Sequence, residues 1–337
     1  MKKSIKIFLI LSVALMALGL ILCVGSFASV GFDISRFIGV DSTELMEKNV
    51  DIQGRMITEL ELDDISGINA AYNVKLVPSA DGDFHLSYCV YGRNDLCWEA
   101  TNQVLRISAP NSEWKDIIGN VISFGSNAVP LTIEVPASVA TIRCDVDVVE
   151  LSCEDLTLDG DLSCLGDVSG LDLQNVAVKG NLTAESDTGE IHLENVKAGY
   201  LEADCEYGSM ELTNVTADNM TLSADTGSIE MASVSARGIL EVSADYGDIL
   251  MDDVYGGDIR ATGDTCDIEF SSLFAESNLS FAVTYGDIDG TIADAESAYT
   301  IFSEVDYGES SLSSGGSGAK ILNIAVDTGD AHIRFLK

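Results

Sequence analysis

Basic residues are scarce in this chain, and their scarcity excludes whole classes of partner. The sequence has 18 lysine and arginine residues against 55 aspartate and glutamate residues, which gives a formal net charge of −37. Three of the basic residues, Lys2, Lys3 and Lys6, precede the first apolar run, so the rest of the chain is more acidic still. Such a surface repels nucleic acid and anionic lipid unless cations bridge the two. We therefore expect no nucleic-acid partner.

Groups that could perform catalysis are also few. His85, His192 and His332 are isolated in the sequence, and no pairing of a nucleophile with a base can be recognised. The phrase Asp225-Thr226-Gly227-Ser228 matches the catalytic loop of aspartic proteases, but it is one copy of a repeat, and such a protease needs two carboxylates brought together. We predict that the protein is not an enzyme and has no catalytic residues. The enzyme alternative is a glycan-cleaving β-helix, because carboxylate pairs perform that chemistry.

The eight cysteines lack the close paired spacing of zinc ligands. Cys89 and Cys97 flank Gly92-Arg93-Asn94 symmetrically, as residues do across a hairpin. A cross-strand disulfide between them is one interpretation for an exported protein, and two half-buried thiols are the other. We interpret five further cysteines as small core residues: Cys144, Cys153, Cys164, Cys205 and Cys266.

The N-terminal region contains a long uncharged stretch. Residues 7–32 carry no charge over 26 positions, which is enough to span a bilayer. With lysines before it and acidic residues after it, this stretch predicts a transmembrane anchor within residues 1–33, its N-terminus inside and the C-terminal body outside the cytoplasm. The alternative is a cleaved signal that releases the body as a secreted protein, because Ser26-Phe27-Ala28 offers small residues at a suitable spacing. Residues 34–58 would form a juxtamembrane linker.

A short phrase that recurs eight times towards the C-terminus is the most informative feature of the sequence. It consists of Thr or Tyr, then Gly, then an acidic residue or Ser, and usually an apolar residue. The glycine position recurs after 19, 19, 20, 19, 20, 22 and 21 residues. It is occupied by Gly189, Gly208, Gly227, Gly247, Cys266, Gly286, Gly308 and Gly329. A period of about 20 residues is typical of repeat proteins whose units bury their apolar faces against each other.

Residues around the glycine position fall into columns that predict a parallel β-solenoid. Apolar residues stand two, four and seven positions after it, as in Ile191, Leu193 and Val196, and the residue between the first two is mostly charged. This alternation indicates a short strand with one face inward. We therefore predict an all-β fold, with solenoid repeats of about 20 residues per coil in residues 141–337 and an N-terminal β cap region in residues 59–140.

Two columns of acidic residues flank the glycine position. Stacking should bring carboxylates of successive coils to within about 5 Å, and oxygen-seeking cations such as Ca²⁺ would relieve their repulsion. The candidate calcium ligands are Asp225, Asp245 and Asp264 before the glycine position and Asp248, Asp267 and Asp287 after it. The alternative is a solvated turn without a cofactor, in which each Asp side chain caps its own backbone and glycine supplies a positive φ.

The residue before the glycine position alternates between Thr and Tyr until the last two repeats. The series reads Thr188, Tyr207, Thr226, Tyr246, Thr265, Tyr285, Tyr307 and Thr328. Equivalent tyrosines should therefore recur mainly every second coil, about 10 Å apart. In one interpretation each ring packs over a neighbouring Thr. In the other, tyrosines and acids form a stripe that grips a glycan or a partner protein.

These features together resemble a known family. A lysine-rich start, one apolar segment, a β region that closes on Leu131-Thr132-Ile133-Glu134-Val135-Pro136 and repeated Thr/Tyr-Gly-Asp-Ile coils are similar to the bacterial putative-adhesin family of β-strand-repeat surface proteins, a domain of unknown function. The resemblance implies a β-solenoid on the outer face of the membrane. We expect a membrane-anchored, extracytoplasmic, adhesin-like binding or scaffolding surface with an unidentified protein or glycan partner at the cell surface. A cation-dependent carbohydrate-binding protein is the alternative.

Overall fold

Residues 19 or 20 positions apart lie side by side on parallel strands through most of the computed structural model. Met210 pairs with Ile229, and Ile229 pairs in turn with Ile249. The structure describes residues 46–52, 56–63, 65, 73–90, 96–108, 131–146, 150–167 and 170–336. In these residues the predicted all-β parallel solenoid is confirmed.

The strands form two sheets, called A and B here, and each coil contributes to both. Sheet A contains β1 (Met46–Ile52), β3 (Asn73–Pro78), β4 (Phe84–Val90), β7 (Leu131–Val135), β9 (Glu150–Glu154), β12 (Gly170–Gln174), β15 (Ile191–Glu194), β17 (Met210–Thr213), β19 (Ile229–Ala232), β21 (Ile249–Asp252), the first part of β23 (Ile268–Tyr285), β24 (Ile288–Ile292) and β28 (Ala331–Phe335). Sheet B contains β2 (Glu59–Asp63), β5 (Cys97–Thr101), β6 (Val104–Ser108), β8 (Thr141–Asp145), β10 (Thr157–Leu158), β11 (Leu162–Gly166), β13 (Ala177–Val178), β14 (Asn181–Thr188), β16 (Lys197–Tyr207), β18 (Thr216–Thr226), β20 (Ser235–Tyr246), β22 (Tyr255–Thr265), the second part of β23, β25 (Tyr299–Tyr307), β26 (Gly315–Gly316) and β27 (Lys320–Thr328). A single 3₁₀ turn, Glu296–Ala298, precedes β25.

The columns predicted to point inward form the core. Ile191, Leu193 and Val196 are at most 1% exposed, and the equivalent residues of the following coils are buried on top of them. Burying one such side chain contributes about 1.5–3 kcal/mol. Because a coil has apolar residues on one face only, this stabilisation depends on the two sheets facing each other across a shared core.

The glycine of the repeated phrase lets successive coils approach closely at one corner. Gly227 and Gly247 have φ values of +144° and +145°, which side chains disfavour. A Cβ atom at Gly247 would lie 2.1 Å from the carbonyl oxygen of Gly227, and one at Gly227 would lie 1.9 Å from that of Gly208. At these two coils the corner requires glycine for its dihedral angle and for the absence of a side chain, whereas Cys266 occupies the equivalent position of a later coil without a positive φ.

A second corner lies six residues after the glycine position and was not predicted from the sequence. The φ values there lie between +53° and +57° in seven residues: Asp155, Asn175, Asn195, Asn214, Ser233, Asp253 and Ser272. Short polar side chains tolerate this left-handed conformation best after glycine. The Nδ2 atom of Asn195 donates to Oδ1 of Asn175 at 3.1 Å, and Nδ2 of Asn214 donates to Oδ1 of Asn195 at 2.6 Å. The asparagines thus join neighbouring coils through their side chains.

At the N-terminal end, the order of the coils in space differs from their order in the sequence. Strand β2 lies between β6 and β8, and β3 lies between β7 and β9. The coil made by β6 and β7 is therefore outside the coil made by β2 and β3. Antiparallel strands β4 and β5 then cover this outer coil, and β1 covers β4. Strands from residues 59–140 and 141–337 share both sheets, and the domain boundary between them stays a prediction.

A charged histidine ties β1 to β4. The Nδ1 atom of His85 lies 2.8 Å from Oδ1 of Asp51, and its Nε2 atom lies 2.9 Å from Oδ1 of Asp81. The hydrogen bonds to Asp51 and Asp81 raise the pKa of His85 to about 9, so its imidazole is protonated at neutral pH. His85 therefore has a structural role at the N-terminal end of the solenoid, through its contacts with Asp51 and Asp81.

The C-terminal end shows the same exchange of order. Strand β27 lies between β23 and β25, with Ile324 between Phe281 and Ser303. The last coil of the chain is therefore inserted before the coil that precedes it in the sequence. In space, the glycine positions run from Gly286 to Gly329 and then to Gly308, and the two intervals at this end, 22 and 21 residues, are the longest of the series.

Polar contacts hold the inserted coil and cover the strand that ends the solenoid. Lys320 Nζ, at the start of β27, donates to Asp294 Oδ2 at 2.8 Å and lies 4.2 Å from the centre of the Phe274 ring. On the outer edge of β25, the backbone N–H of Ser303 donates to Ser314 Oγ at 2.8 Å, and this hydroxyl donates to the carbonyl oxygen of Ser303 at 3.1 Å. A covered edge resists pairing with other chains.

Two expectations concern residues at the N-terminal side. The anchor in residues 1–33 and most of the linker in residues 34–58 lie outside the described residues, and within those described no helix is long and apolar enough to cross a membrane. The hairpin expected between Cys89 and Cys97 is wrong, because β4 belongs to sheet A and β5 to sheet B. Both cysteines are free thiols, Cys89 buried and Cys97 exposed.

The glycine corner generates a stability prediction. Gly247→Ala should lower the free energy of unfolding by about 3 kcal/mol or more, because the new methyl group meets the Gly227 carbonyl and the positive φ is strained. Gly315→Ala is the matched control: its φ is +155°, but a Cβ there meets no atom within 4 Å, so we expect a loss of about 1 kcal/mol. Denaturant unfolding of the two variants measures the difference, and equal losses would contradict the close contact.

Candidate functional site

The Thr and Tyr residues before the glycine position form one row along the glycine corner. Their strand pairings place them in the order Thr188, Tyr207, Thr226, Tyr246, Thr265, Tyr285, Thr328 and Tyr307. Because the last coil of the chain is inserted before the coil of Tyr307, the alternation is unbroken in space. The break expected at the last two repeats is therefore wrong, since it assumed that coils stack in sequence order. We call Tyr207, Tyr246, Tyr285 and Tyr307 the tyrosine row.

The tyrosine row is exposed to solvent. Tyr207, Tyr246 and Tyr285 are 61%, 62% and 58% exposed, and Tyr307 at the end of the solenoid is 78% exposed. With neighbouring strands about 4.8 Å apart, successive tyrosines of the row are separated by about 9.6 Å. Single exposed aromatic residues are common on proteins, whereas here four of them recur at a regular spacing along one corner.

The acidic column after the glycine position is a hydrogen-bonded ladder. The backbone N–H of Asp267 donates to Asp248 Oδ1 at 3.3 Å, and that of Asp287 donates to Asp267 Oδ1 at 2.8 Å. The ladder continues in spatial order, from Asp330 N–H to Asp287 Oδ1 at 2.7 Å and from Glu309 N–H to Asp330 Oδ1 at 2.7 Å. The side chains therefore cap the backbone of the neighbouring coil, and the expectation that each Asp caps its own backbone is wrong.

The six candidate calcium ligands are divided between the two sides of the glycine corner. Asp248, Asp267 and Asp287 belong to the ladder. The other three, Asp225, Asp245 and Asp264, are exposed near the ends of β18, β20 and β22, and Asp264 Oδ1 accepts a bond from Thr284 Oγ1 at 3.3 Å. Among the residues described, no three histidine, cysteine or acidic side chains converge in a way that could hold a metal ion. Calcium binding stays a prediction.

Two carboxylates on sheet B carry an electrostatic cost. Burial raises the pKa of Asp204, and the charges of Asp225 and Glu202 raise it further, while a hydrogen bond from Ser223 partly offsets the effect. Burial also raises the pKa of Glu185, followed by the charges of Asp204 and Glu202. These acids pair across neighbouring strands, with Glu185 opposite Asp204. Among the described residues, neither Glu185 nor Asp204 forms a salt bridge with a lysine, arginine or histidine, so burial and the neighbouring acids raise both pKa values.

A groove on the outer face of sheet A was not predicted from the sequence. It has a volume of about 550 Å³, and its lining includes Glu211, Glu230, Glu269, His332 and Arg334. The sequence does contain a pattern that corresponds to the groove: the residue three positions after the glycine position is usually charged, as in Glu211, Glu230 and Glu269. The groove carries more acidic than basic side chains beside an apolar floor, and its walls lack the regular aromatic series of the tyrosine row.

Comparison with known proteins identifies a family and a set of similar folds. The family model described as Toastrack DUF4097 matches residues 57–333. A crystal structure of a putative adhesin from Parabacteroides distasonis ATCC 8503 has 14% identity and a TM-score of 0.45, covering 86% of this chain and 98% of its own.

Two further crystal structures are similar to the same degree. A putative adhesin from Parabacteroides merdae ATCC 43184 has 13% identity and a TM-score of 0.44, covering 88% of this chain and 98% of its own. A putative lipid binding protein from Parabacteroides distasonis ATCC 8503 has 14% identity and a TM-score of 0.41, covering 86% and 97%. No curated protein sequence matches the chain.

The aspartate ladder should contribute measurably to stability. Asp287→Ala removes the acceptor for the N–H of Asp330 and should lower the free energy of unfolding by about 1 kcal/mol. Asp225→Ala is the control, because Asp225 is exposed and lies beside Asp204, so its removal should leave stability unchanged or raise it. Denaturant unfolding compares the two. A larger loss for Asp225→Ala would contradict the ladder.

The raised pKa values of Glu185 and Asp204 predict that mild acid stabilises the protein. A carboxyl with a raised pKa binds protons in the folded state at a pH where the unfolded state has lost them, so stability should rise as the pH falls from 7 towards the ordinary carboxyl range. The double variant Glu185→Gln with Asp204→Asn should be more stable at pH 7 and gain less on acidification. Melting temperatures across this pH range measure both effects, and an unchanged pH dependence would count against the assignment.

Proposed function

Because the chain belongs to the Toastrack DUF4097 family, whose model matches residues 57–333, we propose that it is an adhesin-like binding protein of the bacterial cell envelope. The resemblance that the repeats carry is confirmed by this family. In the proposed arrangement, the N-terminal segment anchors the chain in the membrane and the solenoid stands outside the cytoplasm. The observation that carries the proposal is the tyrosine row, a regular exposed aromatic series at one corner of a rigid scaffold.

We propose that the protein binds its partner without catalysing a reaction, because of the contacts that its histidines make. The three histidines of the described residues lie on different coils. His85 is held between Asp51 and Asp81. The Nδ1 atom of His192 lies 3.6 Å from Oε2 of Glu211, and that of His332 lies 3.6 Å from Oδ1 of Asp289. Each histidine thus contacts a carboxylate at the surface of a sheet. In the described part of the chain, the side-chain contacts of the three histidines are with carboxylates and not with a hydroxyl or thiol nucleophile.

Charge restricts the partner. The net charge of −37 opposes nucleic acid and other polyanions, so the expected partner is a protein or a glycan that is neutral or basic. Tyrosine suits both classes, because its ring offers apolar contact area and its hydroxyl group a polar end. The carboxylates beside the row add acceptors for hydroxyl or amino groups. A cation-dependent carbohydrate-binding protein is the second candidate, supported by the acidic columns alone.

Binding at the tyrosine row can be tested with the full-length chain in detergent micelles on arrays of glycans and of extracellular proteins. Tyr246→Ala with Tyr285→Ala should lower retention by about tenfold or more, as loss of aromatic contacts does at binding surfaces. Trp98→Ala is the control, because Trp98 is 40% exposed on β5 at the other end of the solenoid. Equal retention of the wild type, the double tyrosine variant and Trp98→Ala would contradict the proposal that the tyrosine row is the binding site. Release of glycan fragments would overturn the non-catalytic assignment, and loss of binding on chelation would favour the cation-dependent candidate.

The proposed location can be tested on intact cells. If the body lies outside the cytoplasm, added protease should remove epitopes in residues 170–336 while a cytoplasmic control protein stays intact. Protection of the body in intact cells, followed by cleavage after lysis, would contradict the proposal.

A further inference from the structure

We propose that the tyrosine row binds a linear, uncharged, β-1,4-linked glycan, with one disaccharide unit for every two coils. This inference rests on the proposed function and names the ligand class of the same site. It starts from the spatial alternation of Thr and Tyr, which the exchanged order of the last two coils makes complete.

The spacing of the row matches the repeat of such a glycan. Tyr207, Tyr246, Tyr285 and Tyr307 occupy every second strand, so neighbouring rings are offset by about 9.6 Å along the solenoid. In an extended β-1,4-linked chain each sugar is turned over relative to the one before it, and the chain repeats after two sugars with nearly this length. Every second sugar can therefore present the same face to an equivalent tyrosine.

A peptide in the β-strand conformation does not fit this spacing. Side chains on one face of a β-strand recur every two residues, about 6.8 Å apart, so such a peptide would lose register with the tyrosines within two repeats. A polyproline II helix repeats after three residues, about 9.3 Å, and comes close to the period. Proline residues have no N–H group, however, so a proline-rich helix leaves the carboxylates beside the row without donors, whereas sugar hydroxyl groups can donate to them. Spacing and hydrogen bonding together therefore favour a glycan.

The chemistry around each ring suits an uncharged sugar. Asp245 and Asp248 flank the Tyr246–Gly247 pair and offer carboxylate acceptors for hydroxyl groups, while Thr226 and Thr265 lie on the strands to either side. A tyrosine ring provides a flat apolar surface for the C–H face of a pyranose. An acidic sugar is disfavoured, because two unit negative charges about 5 Å apart repel by about 0.8 kcal/mol even in water, and the row has carboxylates along its length.

The inserted coil completes the site. Thr328 on β27 pairs with both Tyr285 and Tyr307, and it provides the spacer that keeps these two tyrosines two strands apart. Stacking in sequence order would have placed Tyr285 next to Tyr307 at half the period. The exchange of the last two coils therefore produces four equivalent positions at constant spacing.

Calorimetric titration of the full-length chain with chito-oligosaccharides and cello-oligosaccharides of increasing length tests the inference. Affinity should rise with each added disaccharide until the oligomer spans the row, about 29 Å, and then level off. An oligomer of β-1,4-linked mannuronate of similar length keeps the linkage and adds a carboxylate to each sugar, and it should not bind. Binding of the acidic glycan at equal affinity, or an affinity independent of length, would overturn the proposal.

A register variant tests the period without changing composition. Tyr246→Thr combined with Thr265→Tyr keeps four exposed tyrosines but moves one of them by a single coil. We expect the affinity for the longest oligomer to fall by about tenfold while the affinity for a disaccharide stays unchanged. Trp98→Ala, which lies on β5 at the other end of the solenoid, should bind the longest oligomer as the wild type does. Undiminished binding by the register variant would overturn the proposal.

The outcomes separate this inference from the proposed function. If a protein ligand binds in a tyrosine-dependent way and no oligosaccharide does, the glycan proposal is wrong, while the proposal that the tyrosine row is a binding surface is supported. If no ligand depends on the tyrosines, both fail. Thermal melting of each variant checks that the solenoid is intact, and Tyr285→Thr with Thr265→Tyr repeats the register test should the first variant fail to fold.

Discussion

The close backbone contact between successive coils is the constraint on which the rest of this structure depends. At the glycine corner, the backbone of one coil approaches the carbonyl oxygen of the next so closely that a Cβ atom would lie about 2 Å away, as at Gly208, Gly227 and Gly247. This contact fixes the register of neighbouring coils to the residue. Because the register around this corner is constant, each repeat position near it forms a row on the surface or in the core, and the same residue type recurs along the solenoid.

These rows stabilise the fold where they are apolar and point inward, and they destabilise it where they bring like charges together. Inward rows such as Ile191, Met210 and Ile229 stack like on like and form a continuous core. Outward acidic rows would repel along their whole length, and the fold uses one of them as a ladder in which Asp267 and Asp287 accept the N–H of the following coil. At Glu185 and Asp204, by contrast, burial and then the charges of neighbouring acids raise the pKa of both carboxyls. The tyrosine row is the one aromatic row that the solenoid leaves in solvent at regular spacing within the described residues.

Much of this arrangement was predictable from the sequence, and the failures have a common physical origin. The inward columns and the glycine corner follow from local alternation and period, so they were predicted correctly. The second corner was missed because Asn195 and Ser233 look like ordinary polar loop residues until their positive φ values are known. The order of the coils at both ends was missed because pairing between distant strands, such as β27 with β23, leaves no local signal. The perfect alternation of Thr and Tyr in space was a signal of that order, since only the insertion of Thr328 between Tyr285 and Tyr307 restores it.

The central claim is that the last coil of the chain lies between the coils of Tyr285 and Tyr307, and paired cysteines test it most directly. In a Cys97→Ser background, Tyr285→Cys with Thr328→Cys places two Cα atoms about 4.8 Å apart, whereas Tyr285→Cys with Tyr307→Cys places them about 9.6 Å apart. A disulfide needs Cα atoms within about 6.8 Å. Mass spectrometry of oxidised, proteolysed protein should find the first pair crosslinked and the second pair free. Crosslinking of the second pair, with the first pair free, would contradict the account.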